Sequence, residues 1–205
     1  MRIPGLVLLP LVLAACVSSP VEEPAYELRL SDGPFEIRHY APTVVAETTV
    51  SGDALGSRFE GFGPLADYIF AKERTGGKIA MTAPVTQAPR AKIAMTAPVT
   101  QQSTTSDAWT IAFTMPAGYT LETLPAPASR DVTLSEQPAR TMAVYSFSGV
   151  ATEREMGAAR TALEQRVAGA GLATTGAPVF AFYDPPWTLS FMRRNEVMIE
   201  IVQAP

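Results

Sequence analysis

The strongest constraint on the fold is an order of elements that occurs twice. Strand-like runs at residues 26–30, 35–40 and 43–50 precede a helical pattern, and a further strand follows at 109–115. Runs at 132–134 and 141–147 precede a second helix, followed by strands at 178–183, 188–192 and 196–202. β-Branched and aromatic residues dominate these runs, and turn-formers such as Ser31-Asp32-Gly33-Pro34 and Asp184-Pro185-Pro186 separate them. Two β-β-α-β-β halves predict an α+β fold. It is either a distorted antiparallel β-barrel or a sheet of two pseudo-symmetric halves, with two helices packed on it.

The helices are read from periodicity. Leu55, Phe59, Phe62, Leu65 and Ile69 recur at spacings of four and three, which predicts one apolar face. Gly61, Gly63 and Pro64 interrupt that pattern and predict a kink or two short helices in series. In the second half, Thr152 and Glu155 have the spacing of a capping box, opening a helix over 153–168 with a stripe at Met156, Leu163 and Val167.

Between the first helix and the strand at 109–115 a decapeptide, K-I-A-M-T-A-P-V-T-Q, is written twice, at 78–87 and at 92–101. The offset is even, so two extended copies present matching faces. Within a copy, Ile79, Met81 and Val85 then share one face, with Thr82 and Thr86 on the other. Two readings stand: a tandem duplication that lengthens a hairpin, with residues 88–91 as its turn, or the signature segment of a ligand-binding family.

The N-terminus reads as an address. Arg2, an apolar stretch over 3–13 and Leu13-Ala14-Ala15-Cys16 form a secretory signal, too short for the roughly 20 residues of a spanning helix. L-A-A-C resembles the lipobox of bacterial lipoproteins. This implies cleavage before Cys16, diacylglycerol on its thiol and acylation of the new amino group, a durable anchor. Val17 after the cysteine favours the outer membrane in proteobacterial lipoproteins, so the expected location is the cell envelope, facing the periplasm. Residues 1–15 are the expected signal peptide, 16–25 the lipidated cysteine with a Pro-, Ser- and Glu-containing tether, and 26–203 one domain.

Several chemistries have no residues to carry them. Cys16 is the only cysteine, which rules out an internal disulfide and a thiolate metal site. His39 is the only histidine, so no histidine metal cluster exists. A serine triad would need His39, and no G-x-S-x-G elbow accompanies it; Walker A and G-x-G-x-x-G loops are absent. The net charge of −4 argues against nucleic acid as a partner. What remains is apolar and soft: nine phenylalanines, two tryptophans and eight methionines. Such residues build cores and can line a pocket for a planar hydrophobic ligand.

Three segments in order carry a family resemblance: F-E-I-R-H-Y at 35–40, K-I-A-M-T-A-P-V in the decapeptide, and Y-D-P-P-W with R-R-N-E-V at 183–187 and 193–197. Together they resemble the SOUL/heme-binding protein family over most of residues 26–202. The resemblance implies a distorted antiparallel barrel with two helices, similar to the effector-binding domain of multidrug-sensing regulators. It also implies non-covalent binding of heme or another tetrapyrrole without an enzymatic step.

Two binding modes follow from it. Some members have a histidine in the position of His39, which makes His39 a candidate axial ligand of heme iron. Others hold heme in an apolar groove by the first helix. That mode assigns Phe59, Phe62, Leu65, Ala66 and Ile69 to apolar contacts, Met81 to the pocket lining, and Arg58 to a propionate. Arg58 does not align cleanly with the family's helix arginine, and Thr188 stands where some members have lysine. The expectation is a lipid-anchored tetrapyrrole binder acting as carrier, buffer or sensor; the alternative is another planar hydrophobic ligand or an envelope protein partner.

Overall fold

The computed structural model describes residues 21–72, 75–89 and 108–202. The signal peptide, Cys16 and the second decapeptide lie outside the described residues, as do Arg90 and Ala91 of the expected turn.

Among the described residues nine strands form one antiparallel sheet: β1 (Tyr26–Asp32), β2 (Phe35–Tyr40), β3 (Thr43–Ser51), β4 (Val85–Pro89), β5 (Ala108–Thr114), β6 (Thr133–Gln137), β7 (Arg140–Ser148), β8 (Thr174–Phe182) and β9 (Arg194–Ile201). Helix α1 (Ala54–Ile69) lies between β3 and β4, and α2 (Glu153–Gly169) between β7 and β8. The spatial order is β1-β2-β7-β9-β8-β4-β5-β3-β6.

That order carries the pseudo-symmetry. If β2, β3, α1, β4 and β5 are matched with β6, β7, α2, β8 and β9, the order from β2 to β6 reads the same from either end. The axis passes between β8 and β4, and each half places its first strand at the far edge of the other: β2 on β7, and β6 on β3.

The closed-barrel form of the expectation does not hold. The sheet is open, with β1 and β6 as its two edges. Every residue of β1 is exposed, its register shifts between Leu28 and Leu30, and β6 has only five residues. Charged, irregular or short strands are how edges are kept from further pairing.

Both helices begin on side-chain caps. Asp53 accepts from the amides of Leu55 (2.9 Å) and Gly56 (2.7 Å) at α1, and the Thr152–Glu155 capping box opens α2 as its spacing predicts. Met156, Ala159, Leu163 and Val167 bury one face of α2 against β7 and β9 in a core with Phe35, Phe180 and Ile199.

Helix α1 differs from its reading in two respects. Of the two forms expected, a kink or two helices in series, the second does not hold, since Ala54–Ile69 is one helix with Pro64 inside it. Its buried face is also not the aromatic one: Ala54, Ser57, Gly61, Leu65, Tyr68 and Ile69 face β3 and β5. Gly61 explains the swap. A Cβ there would lie 2.5 Å from Ile111 Cγ1, so the helix backbone rests directly on the sheet where larger residues would hold it off.

Two other segments depart from expectation. Residues 188–192 form no strand; a 3₁₀ turn over Ser190–Met192 stands there instead. After Pro185 and Pro186 the backbone closes on itself: the Thr188 amide donates to Pro185 O, and that of Met192 to Leu189 O. In the first decapeptide only residues 85–87 enter β4, with Ala88 and Pro89 continuing it. Ile79 is buried while Met81 is exposed, so they do not share a face. Upstream, Glu22 forms a parallel bridge with Thr82 and its carbonyl accepts from the Ala83 amide at 2.9 Å.

Candidate functional site

Turning the small residues of α1 toward the sheet leaves its phenylalanines outside. Leu55, Phe59, Phe62, Ala66 and Phe70 follow one another at four, three, four and four residues and lie on the side away from the core. Phe59 is 64 % exposed, Leu55, Phe62 and Phe70 are also exposed, and Ala66 is half-buried. Phe62 stands edge-on to Phe113, with ring centroids 5.2 Å apart. The stripe is about 22 Å long at 1.5 Å per residue. An outward apolar row of this kind makes the face a candidate binding surface.

Arg58 sits on the flank of the stripe. Its guanidinium lies over the Phe182 ring at 3.9 Å from the centroid, and Nη2 donates to the Ala151 carbonyl at 3.2 Å. Nε is buried with no acceptor, and among the described residues no carboxylate pairs with Arg58. Burial, followed by the nearby charge of Arg193, lowers its pKa from the ordinary arginine value. A half-buried cation with an unused donor, beside exposed aromatic rings, is suited to an anionic group on an apolar ligand.

The other predicted residues fall elsewhere. Leu65 and Ile69 are fully buried, in one core with Ile111 and Phe113. Met81 is exposed on the segment between α1 and β4. His39 lies on β2 between Glu27 and Thr141, with Nδ1 and Thr141 Oγ1 3.0 Å apart. Strands β7, β9, β8 and β4 separate β2 from the strands under α1, so His39 is not brought to the aromatic stripe. The structure therefore joins Arg58, Phe59, Phe62 and Ala66, and leaves His39, Leu65, Ile69 and Met81 apart from them.

The opposite face of the sheet holds a polar network that the sequence did not reveal. Glu196 is fully buried, and Arg38 grips both its oxygens at 2.9 and 3.0 Å. Tyr183 Oη donates at 2.6 Å, Arg194 Nε at 3.1 Å and Ser146 Oγ at 3.3 Å. Burial pushes the carboxyl's pKa up, but hydrogen bonds and charge from Arg38, Tyr183 and Arg194 outweigh it and hold it below the usual carboxylate range. Burial and the Glu196 charge push the Tyr183 phenol well above its ordinary value. Arg38 and Glu196 lie 158 residues apart, in the F-E-I-R-H-Y and R-R-N-E-V segments, and nothing in either segment signals that they pair.

This network is saturated. Every Glu196 oxygen is engaged, and the adjoining cavity, lined by Tyr26, Tyr40, Met142, Tyr183 and Met198 among others, has a volume of about 40 Å³. It admits a water molecule but no planar macrocycle. Beside the far flank of α1 a larger cleft of about 310 Å³ is lined by Gly63, Pro64, Asp67, Tyr68, Pro127 and Val132. Among the described residues no group of three His, Cys, Asp or Glu is placed to hold a metal ion.

Comparison with known proteins agrees with the motif reading. A family model described as SOUL heme-binding protein matches residues 21–200. No curated protein sequence matches the chain. Among solved structures, the C-terminal domain of EcmrR is 13 % identical, with a TM-score of 0.62 over 87 % of this chain and 99 % of that one. EcmrR in its DNA complex gives 13 % and 0.61, over 83 % of this chain and 57 % of that one. A protein described as a hydrolase from Listeria innocua gives 12 % and 0.55, over 85 % and 94 %. At these identities the likeness is one of fold.

Proposed function

The chain belongs to the SOUL heme-binding protein family, and from that premise we propose that it binds heme or a related tetrapyrrole on the outward face of α1. The observation that carries the reading is Arg58: a half-buried guanidinium with an orphaned Nε, no carboxylate partner among the described residues, and exposed rings at Phe59 and Phe62 beside it. A tetrapyrrole brings a flat apolar ring for the phenylalanines and a propionate for the guanidinium.

The residues fit the macrocycle's edge and face better than its metal. Heme would supply its iron's own redox or ligand chemistry, but His39 stands on a strand remote from α1. Binding on α1 is therefore independent of iron. The chain acts as a carrier, buffer or sensor and not as an enzyme, held in the envelope by lipid on Cys16 and facing the periplasm.

Titrating hemin, and separately metal-free protoporphyrin IX, into the chain lacking residues 1–16 tests this. The expected result is a saturable Soret change with both, unaltered by His39→Ala. Spectra that match the free pigments at every ratio would refute it. A need for iron and for His39 would move the site to β2. Binding of flat apolar acids in general, with no preference for tetrapyrroles, would instead favour the second reading of a broader planar-ligand site.

A further inference from the structure

The connection between β8 and β9 exposes four large apolar side chains within six residues: Trp187 at 83 %, Leu189 at 60 %, Phe191 at 72 % and Met192 at 63 %. They are not a frayed end. The Met192 amide donates to Leu189 O at 2.9 Å and that of Arg193 to Ser190 O at 3.2 Å. The Arg193 guanidinium reaches back to the Thr188 carbonyl at 2.8 Å and to that of Pro186. Asp184, the one acidic residue of the turn, accepts from the Arg194 amide at 2.6 Å. The backbone is thus tied to itself while its apolar side chains are held in water, an arrangement that raises the cost of the unbound state.

The base of this turn is joined to the segment leading from Cys16. Arg194 Nη1 and Nη2 each meet a Glu23 oxygen at 3.1 Å, a bidentate pair across the molecule. Glu23 is seven residues after Cys16. Seven extended residues span at most about 25 Å, so a lipid on Cys16 keeps the Arg194 end of the domain close to the bilayer. The charged side chains over 185–194 are Arg193 and Arg194, with no acidic residue among them.

We infer that the turn over residues 185–193 is a second membrane contact. It seats Trp187, Leu189, Phe191 and Met192 in the headgroup and upper acyl region of the phospholipid bilayer that holds the lipid anchor. The inference rests on the anchor proposed for Cys16 and adds an orientation to it. Trp and Arg at the water boundary, with aliphatic and Phe side chains beyond, match the composition of interfacial contacts. Arg58 packs on Phe182, at the root of the same turn, so the face of α1 stands beside the membrane and a tetrapyrrole dissolved there has a short path to it.

The test uses the full chain reconstituted in phosphatidylethanolamine–phosphatidylglycerol vesicles with and without brominated acyl chains. Flotation and the mass of the mature chain read the anchor; tryptophan quenching reads the turn, with Trp187→Phe removing Trp187 from the signal and leaving Trp109. The expected result is bromolipid quenching that disappears in Trp187→Phe and falls at least twofold in Phe191→Asp, while both variants still float. A lipidated, floating chain whose Trp187 emission stays water-like and unquenched would overturn the membrane contact and leave the anchor standing. A chain that carries no acyl groups, does not float and is not quenched would overturn both.

Discussion

The guanidinium of Arg58 lies 3.9 Å above the ring of Phe182, joining the flank of α1 to the end of β8. Its other held group is the Ala151 carbonyl, and neither partner neutralises it. Among the described residues the proposed site is built around a charge that lacks an opposite.

Arg58→Ala therefore separates binding from stability. A charge-assisted hydrogen bond contributes about 1.5–3 kcal/mol, so porphyrin affinity is expected to fall by roughly tenfold or more. The thermal midpoint should fall less than on truncation of Arg38, since a ring contact and one hydrogen bond are lost but no ion pair. Hemin titration beside a melting curve checks both, and equal affinity in the two proteins would remove Arg58 from the site.

The Arg38–Glu196 pair predicts the opposite pattern. Truncating either partner leaves a buried charge with only its weaker partners, Arg194 and Tyr183 for Glu196 or Glu36 for Arg38, and costs up to about 3–5 kcal/mol, while replacing both with apolar residues of like volume recovers part of the loss. These variants leave porphyrin binding on α1 intact wherever they remain folded. Urea midpoints for Arg38→Met, Glu196→Leu and the double variant give the coupling.

The same pair sets an acid limit. Glu196 is held below its unfolded pKa in the folded chain, so its contribution is present above about pH 4.5 and is lost as pH falls through the folded value. Urea midpoints measured from pH 7 to pH 3 should drop more steeply in the natural chain than in the double variant. Parallel profiles would show that other groups carry the acid response.

Two helical glycines, Gly61 of α1 and Gly157 of α2, should respond with opposite signs. A Cβ at Gly61 meets Ile111 Cγ1 at 2.5 Å, so Gly61→Ala is expected to cost about 1–3 kcal/mol. At Gly157, exposed within α2 and not followed by proline, a Cβ meets nothing within 4 Å, and alanine there should add about 0.5–1 kcal/mol through helix propensity. Differential scanning calorimetry of the two variants checks the pair.

The doubled decapeptide supports a deletion test. Removing residues 88–101 or residues 78–91 yields the same chain, with one copy followed by Gln102. The buried residues of the first copy, Ile79, Thr82, Ala83, Pro84 and Gln87, are all retained. Gln87 Nε2 still reaches the Ala54 carbonyl, 2.7 Å away in the full chain. The deletant should melt cooperatively; a broad, non-cooperative transition would show that the duplication is integral to the fold.

Much of this was legible in the sequence because the signals were local. Thr152 and Glu155 lie three residues apart, and Met156, Leu163 and Val167 repeat at helical spacing, so α2 is legible with its cap and its face. Helix α1 defeated the same reasoning. Its buried face is entered through Ala54, Ser57 and Gly61, whose contribution is closeness rather than bulk, and an apolar count favours the bulky exposed side. The turn at 188–192 looked like a strand because exposed apolar residues alternate there as buried ones would. Arg58 could be nominated from its place beside the phenylalanines, but its unpaired charge could not, since that depends on what Phe182, Ala151 and Arg193 bring from the other half.

The exchange of first strands between the halves also governs how the chain reaches its native state. His39 on β2 meets Thr141 on β7 across 102 residues, and β6 must travel back to the free edge of β3. Neither half can complete its share of the sheet while the other is missing, so a fragment ending near residue 115 leaves β2 without β7 and β3 without β6. Folding is obliged to wait for nearly the whole chain, and long-range pairings of this kind make it slow. If the chain is exported from its N-terminus as proposed, that delay would keep the early segments unfolded through translocation.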